Sequence, residues 1–212
     1  MNEIGAKMSV AWIKTTLPSK ADNELLKTYQ QITGFDDAEK IEKRIRNNFI
    51  ALSIKPNLLR DSWNFMHNTS FKNEESRLTK QDRDLIDTIV SISNRCRFCT
   101  IGHAEVARGN NQDIDFTQQL KSDYKQLRIS KKLIAALEFA EQLTSQPDKI
   151  KKNDVEKLSI VGWSDEDIAD IVHETALFNY MNRIVIGLGV KIHPFMERIE
   201  KRDKEFLDTS QW

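Results

Sequence analysis

The chain has 212 residues, with 32 basic and 32 acidic side chains, two cysteines and seven glycines. That length holds one or two domains around a real apolar core, and 30% charged against 39% hydrophobic residues is polar without being the composition of a disordered chain. A formal net charge of zero gives no bulk attraction to phosphate backbones or anionic lipid, which excludes nucleic acid and membrane surfaces as expected partners.

The apolar runs, such as Phe49 to Leu52 and Ile184 to Val190, fall far short of the ~20 residues of a membrane-spanning helix. Glu3 and Lys7 interrupt the stretch where a secretion signal would be apolar, so the expected compartment is the cytoplasm.

Few glycines, four prolines and long runs at three- and four-residue spacing, with no bounded period-two alternation, predict an all-α protein. Met1 to Ala21 reads as a loosely tied arm carrying Trp12. A helix follows from about Asp22 to Ile32, stopped by Gly34. Asp36 or Asp37 then caps one segment reaching about Ile54, with Ile41, Ile45, Phe49 and Leu52 on its apolar side. Pro56 opens the next helix, striped by Leu59, Trp63 and Met66. Thr79 caps a helix whose broad apolar face is Leu85, Ile86, Ile89, Val90 and Ile92.

Asn94 and Arg95 break that pattern, and a second helix runs from Cys96 to about Arg108, ending at Gly109 in a position suited to a left-handed cap. After the polar stretch Asn110 to Gln119, Ser130 caps a helix with Leu133, Leu137, Ala140 and Leu143 that Pro147 ends. Asn153 with Glu156 reads as a capping box for a short helix. Gly162 turns the chain, and Ser164 starts the longest helix, which Gly189 ends. The charged segment after Pro194 is read as helical. No repeat or long linker interrupts the chain, so the expected organisation is an arm over 1–21, one helical domain over 22–195 and a tail over 196–212.

The two cysteines stand three apart, too close to staple a fold by closing a useful loop. Cys96-Arg97-Phe98-Cys99 is a C-x-x-C pair, and His103 follows four residues after Cys99. At about 100° per residue the three side chains fall within a ~60° sector of one helix face. At a helix start, unpaired amides and the positive dipole end favour a thiolate, and Arg95 and Arg97 add positive charge nearby. Asp84 lies ~14 Å before the end of the preceding helix and His103 ~10 Å into the next, so a hairpin brings the two to roughly the same depth. A carboxylate-His-thiol relay results.

Zinc is disfavoured, because Cys96, Cys99 and His103 are three ligands where a structural site needs four. Covalent haem attachment needs His directly after the second cysteine, where this chain has Thr100. His67, His173 and His193 have no thiol or acidic partner at a diagnostic spacing and are read as surface or locally bonded. Asn179, Asn182 and Arg183 are read as interface or buttressing residues. Trp63 and Phe65 are read as core or interface packing.

The run from Arg83 to Gly109, RDLIDTIVSISNRCRFCTIGHAEVARG, resembles the redox motif of the AhpD-like alkylhydroperoxidases within the carboxymuconolactone decarboxylase superfamily. That motif has an acidic residue twelve before a C-x-x-C and a His four after it, and Asp84, Cys96, Cys99 and His103 fall on these positions. Residues 162–190, with Phe-Asn-Tyr-x-Asn-Arg at Phe178 to Arg183, are similar to a second block of the peroxidase-related branch. Residues 137–147 and the Pro56-Asn57-Leu58-Leu59 helix also fit that branch, so the resemblance covers roughly residues 22 to 195.

It implies an all-helical fold that commonly assembles into dimers, trimers or hexamers. It also implies thiol-based peroxidase or disulfide-reductase activity on a hydroperoxide, with an external dithiol as reductant and no metal, haem or other cofactor. Cys99 would be the peroxidatic thiol, Cys96 the resolving one, and His103 with Asp84 the proton relay. Two rival functions stand beside this one: a non-enzymatic thiol sensor or interaction protein on the same scaffold, and the decarboxylase or isomerase chemistry of the wider superfamily with His103 as base.

Overall fold

The structure, a computed structural model, describes residues 9–72, 75–109 and 114–202. Among them there are helices and turns and no strand. The described chain divides into two compact units, one of residues 9–67 with 184–193 and one of residues 68–183 with 194–202. No described helix is long and apolar enough to cross a membrane.

In the first unit α1 spans Asn23–Thr33 between the Asp22 side chain, which accepts the Leu25 N–H at 2.9 Å, and Gly34 at φ +73°. The helix expected to run from Asp36 or Asp37 to Ile54 is instead α2 (Ala38–Arg44), α3 (Asn47–Ala51) and a 3-10 turn over Leu52–Ile54. Ile45 is extended at ψ 140° and buries its side chain, while the Asn47 side chain donates to the Lys191 carbonyl at 2.9 Å. A continuous helix would not hold both, so tertiary contacts override the helical periodicity. Helix α4 is Pro56–Met66.

Leu25, Tyr29, Ile41, Ile45 and Leu59 form the unit's core. Burial pushes the Tyr29 hydroxyl up to about 12, and it donates to the Thr16 carbonyl at 2.6 Å. The arm is tied rather than loose where it is described: the Trp12 N–H reaches the Leu188 carbonyl at 2.8 Å and the Lys191 N–H reaches that of Val10 at 2.9 Å. Trp63 packs edge-on against Phe49 at 5.7 Å, but Phe65 is exposed and takes no part in the core.

The second unit is built on a helical hairpin, α5 (Lys80–Ser93) and α6 (Arg97–Arg108). Thr79 and Asp82 close a reciprocal capping box at the start of α5. Gly109 has φ +56° but ψ −132°, so it ends α6 outside the left-handed helical conformation expected there. A helix not expected from the sequence, α7 (Ile114–Ser122), occupies the polar stretch that follows.

Helix α8 (Lys131–Ser145), capped by Ser130, packs on α5, and α9 spans Lys152–Ile160. The box at the start of α9 uses Asp154, whose carboxylate accepts the Lys151 N–H at 3.0 Å, in place of Asn153 and Glu156. Helix α10 (Asp165–Gly187) is the longest, and α11 (Pro194–Arg202) lies against α6. A Cβ on Gly102 would stand 3.2 Å from the Met196 side chain, which is why α6 carries no side chain at that point of contact. The rest of the tail, 203–212, and residues 1–8 lie outside the described residues.

Asp167 locks the start of α10. Its carboxylate accepts the Ser164 N–H at 2.8 Å and pairs through both oxygens with the Arg77 guanidinium, while the side chain is 3% exposed. Burial pushes this carboxyl up, but Arg77 and Ser164 more than offset it and bring it down to about 2. A depressed carboxyl stabilises the fold fully above its unfolded value of ~3.9 and loses that contribution as pH falls through its folded value. Arg77→Ala is therefore expected to lower stability at neutral pH. Urea midpoints measured from pH 7 downward should show the deficit narrowing below pH ~4.

Candidate functional site

Two residues make the elbow between α5 and α6. Asn94 closes α5, Arg95 stands at φ +56°, and Cys96 is the N-cap of α6 with φ −87° and ψ 90°. A left-handed conformation at a non-glycine residue costs about 1–2 kcal/mol and needs support. The Asn94 amide supplies it by donating to the Asn179 and Asn182 side-chain oxygens of α10, both at 3.0 Å. Asn182, fully buried, donates in turn to the Ser91 hydroxyl at 3.1 Å, and the Asn179 amide donates to the Thr144 hydroxyl at 2.9 Å. These asparagines buttress the elbow, one of the two roles the sequence left open.

Cys96 and Cys99 are both free and buried, with their sulfur atoms 2.9 Å apart. The thiolate expected from the helix start and the two arginines is unevenly distributed. Burial pushes the Cys99 thiol well up, with the neighbouring Cys96 sulfur adding to the effect and the Asn182 amide opposing it. Cys96 is lowered by its hydrogen bond with the Cys99 sulfur and by the Cys99 backbone amide, against the opposing effect of burial, although no side-chain cap hydrogen bond closes. Arg97 does not serve the sulfurs, since its guanidinium pairs with Glu200 of α11, and Arg95 is exposed. Cys96 is thus the more readily ionised of the two, while Cys99 keeps the greater access to solvent, 6% against 0%.

One turn along α6, His103 Nδ1 lies 3.0 Å from Asp84 Oδ1 and 3.3 Å from Asp87 Oδ2, with the ring edge-on to Phe178 at 4.6 Å. An Nδ1–H donated to the Asp84 carboxylate leaves Nε2 as the acceptor nitrogen of the neutral ring. Lys80 Nζ holds the other oxygen of Asp84 at 2.9 Å. Burial raises the Asp84 carboxyl, but His103 and Lys80 more than offset it and hold it below the usual carboxylate range. No hydrogen bond joins His103 to either sulfur among the described residues, so the helical alignment gives a shared face without direct contact.

The structure thus brings Asp84 to His103, and Cys96 to Cys99, as two adjoining pairs. It also adds residues that the sequence reading missed. Asp87 is one turn after Asp84 on α5 and 3% exposed, and Glu174 on α10 is fully buried. The signal for Asp87 was its three-residue spacing from Asp84, on a helix with both Arg83 and Asp84 already on its polar side. The ligating atoms of Asp84, Asp87 and His103 lie within 4.8 Å of one another. His103 contacts both carboxylates, and Lys80 holds the second oxygen of Asp84. Of the other histidines, His67 leans on Trp63 at 5.4 Å and His173 is exposed.

Residues 57–115, which contain Asp84, Cys96, Cys99 and His103, match the model of the carboxymuconolactone decarboxylase family. No curated protein matches the sequence. Among solved structures, an AhpD-core peroxidase-related protein from Ralstonia eutropha JMP134 superposes with a TM-score of 0.75 at 21% identity, covering 88% of this chain and 94% of that one. A peroxidase-related protein from Silicibacter sp. TM1040 gives 0.74 at 20% identity, over 91% and 97%. The debrominase Bmp8, as a cysteine-to-alanine variant in complex with 2,3,4-tribromopyrrole, gives 0.69 at 15% identity, over 93% and 98%. The fold read from the sequence is the fold of these proteins. Segment 57–115 is thus similar to the carboxymuconolactone decarboxylase family, and the chain has the AhpD-like fold of these peroxidase-related structures.

Proposed function

We propose that this protein is a thiol-dependent peroxidase that reduces alkyl hydroperoxides through Cys96 and Cys99, with His103 and Asp84 as proton relay and an external dithiol as electron donor. The observation that carries the reading is the pair of free sulfurs 2.9 Å apart at the start of α6, beside a histidine held at 3.0 Å by a buried carboxylate. The Cys99 proton passes toward Cys96 or, through bound peroxide or water, to His103 Nε2. The Cys99 thiolate attacks the terminal oxygen of the hydroperoxide: an S–O bond forms, the O–O bond breaks, and the alkoxide takes the relayed proton to leave as alcohol. Cys96 then attacks the sulfenic sulfur, an S–S bond forms, and the departing oxygen leaves as water. A dithiol returns two electrons and two protons to the disulfide.

The test is repeated consumption of a hydroperoxide by the reduced protein with excess dithiol. Continued turnover is expected, and it should be undiminished by a chelator, because no step of the relay uses a metal. Consumption that stops at one equivalent would instead mark a thiol sensor, and lactone decarboxylation after removal of both cysteines would restore the decarboxylase reading. The likeness to the debrominase puts a brominated pyrrole in the same substrate panel. Turnover of that compound in place of hydroperoxides would move the reading to reductive dehalogenation.

A further inference from the structure

Behind His103 stands a second carboxyl pair that the relay does not use. Asp87 and Glu174 are 3% and 0% exposed, and their carboxyl groups are within hydrogen-bonding reach of each other. From α5 the charged groups around them are Lys80, engaged on Asp84, then Asp84 itself, and Arg83, whose Nε is 3.8 Å from Glu174 Oε2. From α6 come His103, 3.3 Å from Asp87, and Cys99. The Ser70 hydroxyl donates to Glu174 Oε1 at 2.6 Å.

Asp87 Oδ1 and Glu174 Oε2 are both buried without a donor among the described residues. Two anions buried this close, with a single guanidinium at ion-pairing distance, are strongly disfavoured. One proton shared between the two carboxyl groups removes one buried charge. Glu174 already collects the Ser70 hydroxyl and the Arg83 guanidinium, which suit an anion, so the proton belongs to Asp87.

We propose that Asp87 and Glu174 share one proton, carried by Asp87, and that Glu174 is thereby a positioning residue for His103, keeping the carboxyl group beside the imidazole neutral. The proposal deepens the peroxidase reading and rests on it where His103 acts as a base. With Asp87 neutral, the anions Asp84 and Glu174 balance the cations Lys80 and Arg83, and the ring faces one carboxylate. Were Asp87 ionised, the Nδ1 side of the ring would face two carboxylates in place of one. Burial and the adjacent Glu174 push the Asp87 carboxyl well up, in keeping with this arrangement.

Infrared difference spectra of the reduced full-length protein at neutral pH test the pair without any substrate. The band of a protonated buried carboxyl is expected in the wild type, and it should vanish in Asp87→Asn and in Glu174→Gln, where Asp87 is released to ionise. In turnover, Glu174→Gln should move the acid limb of the kcat/KM profile up by about one pH unit, which lowers the rate on that limb about tenfold. Adding Asp87→Asn to Glu174→Gln removes the new charge and should bring the limb back, a rescue that a purely structural defect would not show. A wild-type spectrum without the band, or a band that survives Asp87→Asn, overturns the proposal even if Glu174→Gln fails to fold. The expected band in a protein that turns over no hydroperoxide would leave the pair standing and remove the peroxidase reading. Turnover without the band would do the reverse.

Discussion

Cys99→Ser is expected to lower dithiol-dependent hydroperoxide turnover at least about a thousandfold, because a serine hydroxyl at neutral pH supplies no anion to attack the peroxide oxygen. Cys96 is the more readily ionised of the two while Cys99 keeps the small solvent access, so attack by Cys99 depends on proton exchange across the 2.9 Å between the sulfurs. Cys96→Ser separates the two roles. It should consume one equivalent of hydroperoxide, leave a sulfenic acid on Cys99 that a carbon nucleophile traps, and form no disulfide within the chain. If Cys99→Ser keeps its turnover, or the trapped sulfenic acid appears on Cys96, the order of the two cysteines is reversed. Mass spectrometry of the trapped protein reads that outcome directly.

Asp84→Asn is the second large effect, an expected fall in kcat of about 10²- to 10⁴-fold with little change in KM. The carboxylate accepts the Nδ1 proton of His103 at 3.0 Å and so keeps Nε2 available as the base. An asparagine amide at that place can donate to Nδ1 and favour the opposite tautomer. The nitrogen chemical shifts of the His103 ring should report the change, and chemistry rather than binding should suffer. A variant with the altered tautomer and wild-type kcat would show that proton transfer through His103 does not limit the reaction. Folded-state carboxyl chemistry sets the sign of the acid behaviour here too. Because His103 and Lys80 hold Asp84 below the usual range, its stabilisation is present above the unfolded carboxyl value and disappears as pH falls through the lower folded one.

Much of the helical framework was readable because caps and breakers act locally. Asp22, Thr79, Ser130 and Ser164 each stand where a side-chain oxygen meets the first turn of a helix, and Gly34 ends α1 at a positive φ. The reading failed where distant contacts decide. The segment after Asp37 keeps a helical apolar spacing, yet it breaks at Ile45 so that Ile45 can be buried and Asn47 can reach the Lys191 carbonyl. The helix over Ile114–Ser122 falls largely within a stretch read from the sequence as polar and unstructured.

The site divides in the same way. The spacing of Cys96, Cys99 and His103 along one helix, and the depth of Asp84 along its hairpin partner, follow from helical geometry and could be computed from residue numbers alone. Partners that come from another helix could not. Asn182 and Glu174 reach the site from α10, some seventy to ninety residues away in sequence, and only the packing of α10 on the hairpin brings them there.

By itself, then, the sequence determined an all-helical chain without bulk charge, and a C-x-x-C pair with a histidine on the same helix face, because these are properties of local spacing and capping. The tertiary structure alone decided which sulfur ionises the more readily and that Arg97 is spent on Glu200. It also decided that a second buried carboxyl pair stands behind His103, because burial and opposing charges are set by what packs against a residue and not by its neighbours in the chain.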